Sequence, residues 1–200
     1  MMAHLPVVDD SGVDRKIAGT PLEISCVLEN DVSVLSAFIQ ELRLTIVKRD
    51  LFNEGDCLRY VTAVDEALLN ACFHGNLELD SKLREDDGNA YFDLARQRRQ
   101  EQPFCARRIH VRAEIDENHV SITVRDEGSG FNLQKLPDPT LPACLDRPHG
   151  RGILLMKAFT DSVRFNDVGN EVTLTKWIAQ ESCCDSAGKA PKARHRRVSR

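Results

Sequence analysis

A chain of 200 residues with 42% hydrophobic content is long enough for one globular domain with a sizeable core, and it does not require a second. Its formal charge of −4 gives no general reason to expect direct nucleic-acid binding, and no stretch approaches the roughly 18 apolar residues of a membrane span. The first ten residues lack the basic and apolar regions of a targeting segment, so the protein reads as soluble and cytoplasmic.

Residues 1–19 are polar and without periodicity, which predicts a flexible N-terminal arm. Leu22, Ile24, Cys26 and Leu28 then alternate with polar residues, the period of a half-buried strand. Asn30 and Asp31 both offer an N-cap for a helix of about four turns that carries Val34, Leu35, Phe38, Ile39, Leu42 and Ile46 at helical spacing. After the turn-rich residues 53–56, a second helix keeps Leu58, Val61, Val64, Leu68 and Cys72 on one face and meets no further glycine until Gly75. Residues 80–107 are densely charged and predict an exposed amphipathic helix over 81 to about 101, closed by Pro103, as an insertion with the character of a partner-binding surface or a solvated loop. Ile109 to Ile115 and Val120 to Val124 alternate around the turn 116–119 and predict a hairpin.

From 131 to 149 four prolines, at 137, 139, 142 and 148, forbid regular structure, and a long Pro-rich loop in a compact domain suits a lid. A helix starting at the glycines of 150–152 follows, then two strands around Val163/Phe165 and Val172/Leu174. Residues 179–200 carry six Lys/Arg and predict a disordered basic tail. Seven cysteines without a CxxC favour reduced thiols over a disulfide framework, and the six scattered histidines offer no zinc site. Strands that are mostly sequential neighbours pair antiparallel, so the order of elements predicts an α/β fold: a two-layer sandwich, with a mixed, mostly antiparallel sheet and helices on one face.

Three places carry candidate chemistry. Glu66 and Asn70 lie four apart on the second helix and so share a stripe; an amide oxygen there can ligate Mg²⁺ and a carboxylate can polarise a hydroxyl, although solvated helix surfaces carry such pairs too. Asp126 ends a strand and enters the turn bearing Gly128 and Gly130, where a carboxylate can accept from an amino group such as adenine N6 while glycine admits a close ligand; a plain turn has the same composition. Gly150, Arg151 and Gly152 open a helix, whose free N–H groups and macrodipole form an anion site if a phosphate is present.

In this order and spacing the three features resemble the N, G1 and G2 boxes of the GHKL ATPase superfamily, which includes DNA gyrase, heat-shock chaperone ATPases and sensor histidine kinases. The resemblance covers about residues 20–178. Within it, E-A-x-x-N-A-x-x-H-G at Glu66 to Gly75 and R-D-E-G-x-G at Arg125 to Gly130 are similar to the anti-sigma-factor serine/threonine kinases of bacterial partner switching. That resemblance implies a Bergerat-type ATP-binding fold with ATP and Mg²⁺ as cofactors. Glu66 is then the general base, Asn70 the Mg²⁺ ligand, Asp126 the adenine reader, Gly128 and Gly130 walls of the purine pocket, and Gly150, Arg151 and Gly152 the phosphate cradle. It implies an anti-anti-sigma-like protein as substrate, a sigma factor as second partner, and allows a homodimer. Pro148 stands where the family commonly has arginine, which leaves Arg147 and Arg151 both as candidates to meet a γ-phosphate. Gly169 is followed by Asn170 and Glu171 in place of the family's two threonines. Those departures keep a second reading open, an ATP-binding interaction module without phosphotransfer. A histidine-kinase-type catalytic domain is a third, disfavoured because no dimerising helix pair bearing a histidine precedes Leu22 and the lid has no separate Phe-rich box.

Overall fold

The structure, a computed structural model, describes residues 21–81, 83, 88–131 and 151–179. The expected arm, most of the lid, Gly150, Arg147, Pro148 and nearly all of the basic tail lie outside the described residues. Strand β1 (Leu22–Leu28) leads into α1 (Val32–Lys48) and α2 (Glu54–Asn70), whose last turn continues as a π-helical segment, Ala71–Asn76. Helix α3 (Gly88–Arg98) and a short 3₁₀ turn (Phe104–Ala106) precede β2 (Ile109–Ile115) and β3 (His119–Arg125); α4 (Gly152–Phe159), β4 (Ser162–Phe165) and β5 (Glu171–Trp177) follow.

Local chemistry explains the helix starts. Asp31 caps α1 by accepting from the Ser33 N–H at 2.8 Å, so of the two candidate caps the second is used and Asn30 turns inward. Asn53 caps α2 by accepting from the Asp56 N–H at 2.8 Å, and Glu54 and Asp56 place negative charge at the positive end of the helix dipole. Helix α2 therefore begins inside the segment read as a turn.

The strands form one five-stranded sheet in the order β1-β2-β3-β5-β4. Each pairing is antiparallel, so among the described strands the sheet is not mixed. Its register puts Ile109, Val111, Ala113, Ile115, Val120, Ile122, Val124, Val172 and Leu174 on one buried face. These residues share a core with Leu35, Phe38, Leu42 and Ile46 of α1 and with Tyr60, Val61, Val64, Ala67 and Leu68 of α2, which makes the two-layer arrangement. The other face is polar, with Ser121 bonded to Thr175 at 3.1 Å and Thr123 to Thr173 at 2.9 Å across the strands.

One residue assigned to the buried stripe of α2 departs from it. Leu58 is 58% exposed, because the buried arc is centred on Cys57, Tyr60, Val61, Val64 and Leu68, one helical step away from Leu58. Tyr60 shows how that arc meets the sheet: its ring is fully buried and its hydroxyl reaches the carbonyls of Val120 (3.1 Å) and Leu174 (3.0 Å). In the charged segment, residues 81 and 83 are helical, 82 and 84–87 lie outside the described residues, and α3 buries Tyr91 and Ala95 while leaving Phe92 exposed. No helix among the described residues is long and apolar enough to cross a membrane.

Replacing Tyr60 by Phe keeps the ring and removes the one hydroxyl that links α2 to two strands. Urea denaturation should show a loss of about 1 kcal/mol with an unchanged slope against denaturant; no loss would mean the hydroxyl contributes nothing net.

Candidate functional site

Helix α2 carries the first half of the site on the side not committed to the sheet. Glu66 and Asn70 are half-buried there, between the buried positions Ala67 and Leu68 and the next turn, which includes Ala71. The N-terminus of α4 comes directly onto them. A Cβ added to Gly152 would lie 2.7 Å from Glu66 Oε2 and 3.1 Å from Asn70 Nδ2, so any side chain there would displace the Glu66 carboxylate and crowd the Asn70 amide. The Asn70 side chain makes no hydrogen bond among the described residues. Arg151, at the N-cap position of α4, is exposed.

Five residues beyond Asn70, the π-helical segment brings Gly75 against the second half. A Cβ on Gly75 would fall on the Asp126 carboxyl group, and one on Gly128 would fall on the Gly75 carbonyl, so helix end and turn touch through two missing side chains. Asp126 is 8% exposed and receives the Gly128 N–H on Oδ1 at 2.8 Å. Burial pushes its carboxyl up to about 6, outweighing the Gly128 and Asp126 N–H groups and the guanidinium groups of Arg107 and Arg125, which pull it down. Gly130, with φ of +75°, packs instead against the Val168 carbonyl in the β4–β5 turn. The fold thus gathers Glu66, Asn70 and Gly152 at one place and Asp126, Gly128 and Gly75 at another along the same helix, while Gly130 braces a neighbouring turn.

This arrangement can offer a hard oxygen donor, a carboxylate and helix-terminal N–H groups in one place and a buried acceptor carboxyl in the other. Residues 28–176 match the family model described as the histidine kinase-like ATPase domain. The chain belongs to that family. It is also 31% identical over 80 residues to the serine-protein kinase RsbW of Oceanobacillus iheyensis, an alignment that covers 36% of this chain and 51% of that protein. The chain thus spans about half the length of that curated relative. A crystal structure of the RsbU and RsbW domains of Rv1364c from Mycobacterium tuberculosis aligns with a TM-score of 0.45 and 16% identity, covering 80% of this chain and 32% of that one.

What positions the site in this member of the family includes residues that the sequence did not single out. Asn76 is fully buried; its Nδ2 donates to Asn30 Oδ1 at 2.8 Å and its Oδ1 accepts the Glu127 N–H at 2.8 Å. Asn30 in turn donates to the carbonyls of Phe104 (3.3 Å) and Arg107 (3.1 Å), and Arg107 Nη1 donates to the Asn76 carbonyl at 2.8 Å. The Glu127 side chain points the other way, to His110 Nε2 at 2.8 Å and the Arg108 N–H at 3.1 Å; the His110 bond is the main reason its pKa is lowered. His74, part of the quoted motif, is exposed and bonds through Nδ1 to the Leu79 carbonyl at 2.7 Å, a local brace for the segment after α2. The available signal for Asn76 was only its place directly after the His74-Gly75 pair that ends the quoted motif.

Asn76→Ala strips partners from the Glu127 N–H and from Asn30 Oδ1, which should lower stability by about 2–4 kcal/mol in urea denaturation. A loss under about 0.5 kcal/mol would show the network to be dispensable.

Asp126 gives a pH signature. A carboxyl whose pKa is raised on folding binds more protons folded than unfolded between its ordinary value of 3.8 and about 6, so stability falls as pH rises through that window. Relative to Asp126→Asn, the wild-type chain should lose on the order of 2–3 kcal/mol between about pH 4 and pH 7. Parallel pH profiles for the two proteins would contradict this.

Proposed function

We propose that the chain is an ATP- and Mg²⁺-dependent serine/threonine protein kinase of the anti-sigma type, acting in the cytoplasm on a Ser/Thr of an anti-anti-sigma-like protein and so regulating a sigma factor by partner switching. The observation that carries this reading is the approach of Gly152 to both Glu66 and Asn70, which sets a helix N-terminus, a carboxylate and an amide oxygen in one small volume.

The residues fit the groups they would hold. Mg²⁺ keeps oxygen ligands in octahedral geometry and in kinase sites is held by one or two side chains together with substrate phosphates. A single Asn70 amide oxygen suits that mode. Asn70 Oδ1 would hold the ion. The N–H groups opening α4, with Gly150, Arg151 and Gly152, would receive phosphate oxygens. Asp126, as the ionised carboxylate, would accept from the purine amino group, with Gly128 and Gly130 shaping the wall around it. Bound Mg·ATP supplies an electrophilic γ-phosphorus whose transfer depends on positioning and charge stabilisation. Glu66 would orient the partner's hydroxyl and take its proton. Similarity to RsbW, a serine-protein kinase, supports Ser/Thr as acceptor. A second reading, nucleotide binding without transfer, draws on Asn170 and Glu171 standing where the family carries threonines.

Incubation with labelled Mg·ATP and candidate partner proteins separates the two. Glu66→Gln should keep nucleotide and slow transfer at least about 100-fold, whereas Asp126→Asn should weaken nucleotide binding at least about 10-fold. Nucleotide bound without any labelled partner favours the binding module; a wild-type chain that binds no purine nucleotide removes both readings.

A further inference from the structure

Away from Glu66 and Asn70, a groove of about 500 Å³ opens where β1 runs into α1 and faces the C-terminal half of α3. Three guanidinium groups line it, those of Arg96, Arg99 and Arg108, together with Glu29, Asn30 and Asp31. Their partners are unequal. Asp31 is satisfied within the fold: it caps α1 and pairs with Arg99 at 3.0 Å. Arg108 is fixed by Nη1, which donates to the carbonyls of Cys105 and Arg107 at 2.9 Å each, and its other side-chain N–H groups have no hydrogen-bond partner among the described residues. Among the described residues Arg96 meets only Asp93, at 3.0 Å, in a pair about 70% exposed on both sides, which contributes little net. The lining therefore carries three guanidinium groups against two carboxylates, in a chain whose overall charge is negative, and one of its guanidinium forks, that of Arg108, is held in advance for a planar acceptor.

We propose that this groove docks an acidic peptide segment of a partner protein. Carboxylates would meet Arg96 and Arg108. Glu29, on the same groove, would accept backbone N–H groups, which a polypeptide has and a phosphodiester backbone lacks. The docking needs no nucleotide and holds whether or not the chain transfers phosphate. The groove is built by the charged insertion, so its place in the fold gives that segment a purpose.

The test uses the full chain and a fluorescently labelled hexaglutamate peptide, followed by anisotropy, with an oligothymidylate of equal charge as the competing chemistry. Saturable binding of hexaglutamate, tighter than that of the oligonucleotide, is expected. Arg96→Glu, at an exposed position, should weaken it at least about 3-fold with an unchanged melting curve, and Arg96→Glu with Arg108→Glu at least about 10-fold. Replacing Lys189, Lys192 and Arg194 by Gln, in the basic tail, should change it less than about 2-fold. Absence of saturable binding, indifference to Arg96→Glu, loss through the tail variant, or tighter oligothymidylate binding would each overturn the proposal.

Discussion

A buried amide must find partners for both its donor and its acceptor, and Asn76 meets that demand by joining three parts of the chain. Its donor reaches Asn30, at the exit of β1, and its acceptor takes the N–H of Glu127, one residue past Asp126. A chain segment that ends a helix is thereby locked to the turn that ends a strand, with 2.8 Å bonds at both contacts. Gly75, the preceding residue, can then press against the Asp126 carboxyl because neither it nor Gly128 has a side chain to interpose. Asp126 is buried because of this contact, and its raised pKa follows from that burial.

Helix α2 is the common axis for everything else. One arc of it, through Tyr60, Val64 and Leu68, is committed to the sheet, and the arc carrying Glu66 and Asn70 is left to meet the start of α4. A helix repeats every 3.6 residues, so a side chain four positions on from Glu66 lies on the same side, whereas the apolar positions between them face the core. The π-helical continuation then alters the phase just where Gly75 and Asn76 must face the Asp126 turn. Packing and site geometry are therefore set by the same helix, which is why a core substitution such as one at Leu68 would disturb Glu66 and Asn70 as well.

Much of this frame was legible from periodicity. Strands β1, β2, β3 and β5 alternate with a period of two because only one face of the sheet is buried, and α1 shows its four buried positions because they are all apolar. The motif residues of α2 and of the Asp126 turn were legible because their order along the chain matches a family's. Leu58 misled because it is apolar yet lies at the edge of the buried arc, where side-chain type does not distinguish core from surface. Asn30 misled because an Asn before a helix has the composition of a cap; its burial follows from tertiary partners at Asn76, Phe104 and Arg107, each more than 40 residues away. Arg107 was invisible for the same reason, since nothing local distinguishes a guanidinium that closes a network from one in solvent.

Asn170 is where sequence and geometry bear most directly on each other. It departs from the threonine pattern of the family, yet it holds the backbone at Asp126 from both sides: its carbonyl accepts the Asp126 N–H at 2.9 Å and its Nδ2 donates to the Asp126 carbonyl at 3.2 Å. Its remaining acceptor is taken by Asn166 Nδ2 at 2.8 Å, and Asn166 also caps the β4–β5 turn through the N–H groups of Gly169 and Asn170. A threonine hydroxyl donates and accepts through one oxygen with a shorter reach, whereas an amide donates to the strand from its nitrogen and accepts from the turn on a separate oxygen. The departure thus changes how the strand end is held, by extending the bracing of Asp126 into the β4–β5 turn. The same turn receives Gly130 and Phe131 through Val168 and Gly169, so the backbone of Asp126 and residues 130 and 131 are braced by one piece of chain.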